Sequence, residues 1–246
     1  MRTANPALGD KIFQGLDVGS REDAMTIQGA ANKTIILLFI LLVPAAFVWR
    51  EFFRLGIDRF PFYVYLGGGF IGGLVFAIIT IFKKKWAPYT APVYAACEGV
   101  ALGALSALFE KIYPGIVMQA VGLTFGTLFM LLLAYKSRLI KATENFKLGV
   151  TAATGGIFLI YLVSFVLRLF GVNVPFIHDA GIIGIGFSAF VVVIAALNLV
   201  LDFDFIEEGE KQGAPKYMEW YAAFGLLVTL IWLYIEILRL LSKLRR

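Results

Sequence analysis

Seven apolar runs, each close to or above the length that crosses a bilayer, occupy most of this chain of 246 residues, at 34–49, 61–82, 89–109, 114–135, 149–170, 180–201 and 218–241. A helix needs about 20 consecutive apolar residues to span the hydrocarbon core, and seven such segments leave no room for a soluble catalytic domain. Composition agrees, with 60% of residues hydrophobic and 16% charged, against roughly 25% charged in an ordinary soluble domain. The pattern predicts an all-α polytopic membrane protein of seven transmembrane helices. A polar segment over 1–32 precedes a membrane domain over 33–246.

The polar segment carries Arg2, Lys11 and Arg21 among several acids, and no apolar stretch in it ends in a small-residue cleavage site. No cleaved signal peptide is expected. Its sparse apolar positions, Ile12, Phe13, Leu16, Met25 and Ile27, suit a flexible tail or a short surface helix. The densest basic clusters, Lys83-Lys84-Lys85 and Lys136, Arg138, Lys141 and Lys147, fall on the same side as the N-terminus. The positive-inside rule then places the N-terminus in the cytoplasm and the C-terminus outside. The basic tail of Arg239, Lys243, Arg245 and Arg246 opposes this count, unless a re-entrant final segment returns it. A net charge of +5 on such short loops reflects topology and lipid headgroups, not nucleic-acid binding. The bilayer is the partner that composition implies. One cysteine, Cys97, cannot close an intramolecular disulfide.

Small residues cluster within the spans. Gly67-Gly68-Gly69 with Gly72-Gly73, then Gly99 and Gly103, Gly122 and Gly126, and Gly181, Gly184 and Gly186 all suit close helix approach. Pro88 and Pro92 flank the start of the third span and read as a helix end, since proline is tolerated in a first turn.

Against this apolar background, three acids stand inside or at the ends of spans: Glu98, Asp202 and Glu236. A carboxylate in hydrocarbon is costly, so such residues usually face a bundle interior, a partner or an ion path. Glu98 has no basic residue within two turns and serves either as a neutral hydrogen-bonding link between helices or in proton handling. Asp202 closes the sixth span. Asn198, four residues earlier, shares its helix face, whereas Asp204 does not if the helix continues. The acids Glu207, Glu208 and Glu210 follow at once and would otherwise read as a solvated loop. At a cytoplasmic mouth, the hard oxygens of Asp202 and Asp204 could attract Ca2+ transiently. Glu236 can pair with Arg239 along its own helix or serve in function. Glu219, beside Tyr217, Trp220 and Tyr221, fits an interfacial anchor.

Enzymatic chemistry finds no support. His178 is the lone histidine, so a multi-histidine metal site cannot form within one chain. No phosphate-binding glycine loop or nucleophile elbow appears, and Ser106, Ser164 and Ser188 have no histidine nearby in sequence.

Several of these features resemble the transmembrane Bax inhibitor motif family, particularly its bacterial YccA-like members. They are the run Leu201-Asp202-Phe203-Asp204-Phe205-Ile206, the last-span motif Leu233-Tyr234-Ile235-Glu236-Ile237-Leu238 and Glu98-Gly99 in the third span. Asn5-Pro6-Ala7-Leu8 and Ala214-Pro215-Lys216-Tyr217-Met218-Glu219-Trp220-Tyr221 add to the likeness. The resemblance implies six helices around a central seventh, in a bacterial cytoplasmic membrane, with no cofactor. It also implies a pH-sensitive Ca2+ leak gated by two acids that share a proton, one closing the sixth span and one in the seventh. By motif, Asp202 takes the first position and Glu236 the second.

Two departures stand out. The family's usual Asp-Thr-Gln is Asp202-Phe203-Asp204 here, and Asp202 and Glu236 are further apart in sequence than the family pattern has them. Glu219 lies roughly 25 Å from Glu236 along a straight helix, so it is the alternative second pole. Two acids forced together in a low-dielectric site titrate as a unit. The reading is therefore a proton-regulated cation leak, with Asp202, Glu236 and Glu219 as gating acids and Glu98, Asn198 and Asp204 as pathway candidates. The alternative is a non-conducting regulator that binds another membrane protein, such as a quality-control protease.

Overall fold

The computed structural model describes residues 24–171 and 181–246. The Asn5–Leu8 run, most of the polar N-terminal segment, and His178 lie outside the described residues. Among those described, seven helices follow one another: α1 (Ile27–Leu55), α2 (Phe62–Phe82), α3 (Ala87–Ile112), α4 (Ile116–Lys136), α5 (Glu144–Leu169), α6 (Ile182–Lys211) and α7 (Met218–Leu244). All seven are long and apolar enough to cross a membrane. The all-α, seven-helix architecture read from the sequence is the one observed.

Several boundaries differ from the hydropathy reading. Helix α1 starts at Ile27, inside the polar segment, because Thr26 caps it: the Thr26 hydroxyl accepts the Gly29 N–H at 2.9 Å, satisfying one of the donors a helix start leaves open. Helix α6 does not stop near Asp202 but continues to Lys211. Pairs one turn apart, Lys211 to Glu207 at 2.6 Å and Gln212 to Glu208 at 2.7 Å, support its acidic end. In α3 the first turn holds Pro88, but Pro92 lies inside the helix and does not mark an end. Helix α7 is one unbroken element, so no re-entrant final segment forms.

The helices fall into two compact units, to both of which α6 and α7 contribute. One contains α1, α2, α3 and the chain Phe205–Val228. Here α3 packs against both α1 and α2, and glycine makes the approach possible. A Cβ on Gly103 would meet the carbonyl oxygen of Ala45 at 2.6 Å, and one on Gly99 would run into the Leu41 carbonyl and Pro44. A Cβ on Gly69 would stand 2.7 Å from the Cys97 carbonyl oxygen and the Ala101 nitrogen. Backbone is thus laid on backbone, as small residues permit in membrane helices. By contrast, Gly67, Gly68, Gly122, Gly126, Gly181 and Gly186 have nothing within 4 Å of such a Cβ, so the close-packing expectation fails at those positions. Toward one end of the unit Val48, Phe52, Phe60, Ala104 and Ala107 form a core, with Phe52 edge-on to Phe60 and Phe60 stacked on Tyr65. The Thr80 and Thr90 hydroxyls meet at 2.7 Å between α2 and α3.

The other unit contains α4, α5, α6 up to Asp204, and α7 from Thr229. Its core brings Ile157 of α5 to Val191 and Ile194 of α6, with Trp232 of α7 packed against them. Near the end of α7, Lys243 donates to Ser188 Oγ at 2.8 Å and to the Gly184 carbonyl at 3.0 Å, so α7 runs antiparallel to α6 in this unit. Arg245 donates to Gln119 at 2.8 Å. The basic tail that opposes the positive-inside count is therefore partly engaged by the protein itself.

The membrane-facing character of the outer surfaces follows from the same helices. Phe39 and Val43 of α1, Phe70 of α2, Phe129 and Met130 of α4 and Phe158 of α5 are exposed, which a lipid environment accommodates and water would not. Helix α7 is the most enclosed: 67% of its apolar window is buried, against 17% for α2, α4 and α5.

Candidate functional site

In the unit built on α1 to α3, the carboxylate of Glu219 lies over the N-terminus of α1. It accepts the Thr26 N–H at 3.1 Å and the Thr26 hydroxyl at 3.0 Å, and Lys216 lies 3.5 Å away. A second acid, Glu210, accepts the next amide, that of Ile27, at 2.9 Å. The Met25 N–H bonds the Ala214 carbonyl at 2.6 Å, and Ala24 forms an isolated antiparallel bridge with Pro215. Two carboxylates at a helix N-terminus are placed where open N–H groups and the helix dipole favour negative charge. Gly29 leaves room for this contact: a Cβ there would occupy the space of the Glu219 carboxylate and push it aside. Glu219 is 1% exposed, so it is a buried cap for α1 and not the interfacial anchor its aromatic neighbours suggested. Trp220, the neighbour in sequence, instead lies under the Lys33 ammonium, 5.3 Å from the ring centre.

Glu98 belongs to the same unit. It is buried and faces α2, where a Cβ on Gly73 would come within 2.5 Å of its Oε1. One turn before it on α3, Tyr94 packs edge-on against Phe224 with ring centres 4.9 Å apart.

In the other unit, the end of α6 meets α4 and α5. Lys147, in the first turn of α5, is buried and pairs with Asp204 Oδ2 at 2.7 Å. Tyr135 of α4 donates to Asp204 Oδ1 at 3.4 Å, and Glu144 lies 3.6 Å from the Lys147 ammonium. A lysine in the first turn of a helix opposes the dipole; Asp204 supplies the compensating charge. Lys147 is thus not the solvated loop cation that its place in the basic cluster implied. Nothing in the sequence near either residue announces this pair.

Asp202 is 1% exposed. One turn before it, Asn198 donates to Thr154 Oγ1 of α5 at 2.9 Å and to the Ile194 carbonyl at 2.8 Å. Because α6 continues through this region, Asp202 and Asp204 project about 200° apart around the helix. Asp204 is committed to Lys147 and Tyr135, so the structure does not assemble the two into a Ca2+ site. Among the described residues, no group of three or more His, Cys, Asp or Glu is placed to hold a metal ion.

Glu236 is buried and fully engaged within its unit. Arg239 donates to its Oε1 at 3.0 Å, and the Tyr161 hydroxyl lies 3.2 and 3.1 Å from its two oxygens. The Arg239 guanidinium also rests 5.4 Å from the centre of the Tyr161 ring. The local pair expected along α7 is present, with Tyr161 as a third member that the sequence did not reveal. The level of Glu236 along α7 differs from that of Asp202 on α6. Trp232 packs beside Val191 and Ile194, Asp202 lies eight residues beyond Ile194, and Glu236 lies four residues beyond Trp232 in the opposite sense. With antiparallel helices the two acids are separated by roughly 13–18 Å along the helix axes, outside the roughly 4 to 6 Å at which carboxyls couple strongly. Glu236 thus joins α5 to α7 through Tyr161.

No curated protein matches this chain, and no solved structure does. A family model does match the chain. The model described as Bax inhibitor 1 like matches residues 5–246, nearly the whole chain, and the protein belongs to that family.

Proposed function

We propose that the protein is a proton-regulated cation leak, with Ca2+ as its cargo and Asp202 as the gating carboxyl. The observation that carries this reading is Asp202 itself, 1% exposed on a membrane helix of a Bax inhibitor 1 like protein. An ionised carboxylate at such a position is costly, so gain or loss of one proton changes how α6 packs. Once ionised, its oxygens are hard ligands suited to a cation such as Ca2+. Asn198, one turn away, extends the polar face, and the Asp204–Lys147 pair holds the adjacent turn of α6 to α5.

On this reading the protein needs no cofactor and catalyses no reaction. It sits in a bacterial cytoplasmic membrane with its N-terminus in the cytoplasm, as in the YccA-like branch. The test is Ca2+ entry into proteoliposomes across about pH 6 to 8, where a buried carboxyl can titrate. Wild-type flux is expected to change across this range, and Asp202→Asn to flatten the profile. Unchanged flux in Asp202→Asn sinks the assignment. If a membrane protein is recovered by crosslinking while activity in cells survives that substitution, the non-conducting regulator takes its place.

A further inference from the structure

Glu98 is an ionisable group that neither the Asp202 gate nor the capping of α1 uses. It is 9% exposed, in the middle of α3. Among the described residues no cation is paired with it, and the nearest one the packed elements bring in is Lys84, whose ammonium lies 6.0 Å from the centre of the Tyr221 ring. From Pro61 to Phe109 the only other charged residues are Lys83, Lys84 and Lys85, outside the apolar runs. Helix α1, which meets α3 through Leu41, Pro44 and Ala45, has no charged residue between Thr34 and Trp49. Helix α7 contributes Phe224 against Tyr94, with Tyr221 one turn earlier, its ring 6.3 Å from that of Phe224. The titratable neighbours on α3 itself are Tyr94 and Cys97. Among the described residues, no hydrogen bond or ion pair reaches the Glu98 carboxyl.

What faces Glu98 is bare backbone. Gly69, Gly72 and Gly73 of α2 lie against Cys97, Glu98 and Ala101, and a side chain at Gly73 would displace the carboxyl. An isolated buried charge is costly without a cation, and glycine at position 73 brings α2 backbone, not a side chain, against the carboxyl.

We propose that Glu98 and the Gly69–Gly72–Gly73 face of α2 form a second proton-binding site, within the membrane and independent of Asp202. The bound ligand is an exchangeable proton on the Glu98 carboxyl. The site is chemically addressable by dicyclohexylcarbodiimide, an apolar reagent that enters bilayers. The carboxyl proton passes to one carbodiimide nitrogen and the carboxyl oxygen bonds the central carbon. The acyl group then migrates to the other nitrogen, leaving a stable acylurea with no leaving group.

The experiment treats the full-length protein in liposomes with this reagent at a series of pH values and maps the adduct by peptide mass spectrometry. The expected result is an adduct on Glu98 whose formation slows by about tenfold per pH unit above the titration point. Infrared difference spectra are expected to show a carboxylic C=O band that shifts in D2O, fades as pH rises and is missing in Glu98→Gln. The adduct measurement needs only the wild-type chain, so poor folding of the variant does not obscure it. A Glu98 that stays unlabelled at low pH overturns the proposal. So does a carboxyl band that neither exchanges nor titrates, which marks a fixed structural link between α2 and α3. Ca2+ flux through Asp202→Asn is a separate readout, and either reading can fail without the other.

Discussion

Glu219 accepts hydrogen bonds from both the backbone N–H and the hydroxyl of Thr26, at 3.1 and 3.0 Å, across 193 residues of chain. The start of the first helix is therefore capped by an acid from the first turn of the last one.

Replacing Thr26 by Val removes the hydroxyl that caps Gly29 and bonds Glu219, and is expected to cost about 1 kcal/mol. Glu219→Gln keeps an oxygen acceptor but loses the charge opposite the α1 dipole, and is expected to cost about 0.3–1 kcal/mol. Glu219→Ala strands the Thr26 N–H and is expected to cost about 1–3 kcal/mol. Thermal unfolding in one detergent should rank the three variants with Ala the most destabilised and Gln the least. A Gln variant as destabilised as the Ala variant would mean that the charge, and not the hydrogen bonding, dominates.

The Lys147–Asp204 pair is partly sheltered, with side chains 4% and 22% exposed. Removing one partner of a fully buried pair costs about 3–5 kcal/mol, and the partial access of Asp204 to solvent lowers the expectation for Lys147→Met to about 2 kcal/mol. The double variant Lys147→Met with Asp204→Asn should recover much of that loss, because no uncompensated charge remains. A double-mutant cycle of denaturation measurements reads the coupling directly; additive losses would show that the pair contributes nothing.

Glycine substitutions should divide by what their Cβ meets. At Gly103 and Gly99 the new methyl group runs into the α1 backbone, and a backbone cannot yield as a flexible side chain does. Alanine at either position is expected to cost at least about 2 kcal/mol. Gly122 has nothing within 4 Å, and Gly122→Ala should be neutral or stabilise by up to about 1 kcal/mol. Equal effects at the three positions would contradict the packing described for α1 and α3.

Glu236→Gln should leave the pH profile of Ca2+ flux unchanged while lowering thermal stability, since Arg239 would lose its carboxylate partner. A flattened flux profile would return Glu236 to the gating mechanism.

Hydropathy revealed the seven helices because a bilayer forces long, uninterrupted apolar runs. It misjudged α1 and α6 where polar residues continue a helix by finding partners: Thr26 beneath Glu219, Asp204 beside Lys147, Glu207 with Lys211. Periodicity and composition do not encode such contacts, two of which join distant parts of the chain. The acids were legible as unusual for the same reason that the helices were legible. Their roles diverged only when neighbours appeared, with Glu236 bound by Tyr161 and Arg239, and Glu219 by Thr26. Asp202 and Glu98 keep the functional interest that burial within an apolar run first suggested.

The fit of Gly99 and Gly103 against Leu41 and Ala45 has a consequence for how the chain is made. Helix α1 leaves the ribosome before α3 and α7, yet the surface it is shaped to meet belongs to α3, and its cap waits for residue 219. Helices enter a bilayer one by one before they assemble, so α1 resides in lipid with its N-terminal amides uncapped while most of the protein is still being translated. A helix inserted ahead of its partners is thus secured only after them, and truncation ahead of α7 should leave the N-terminal end of α1 open to proteases.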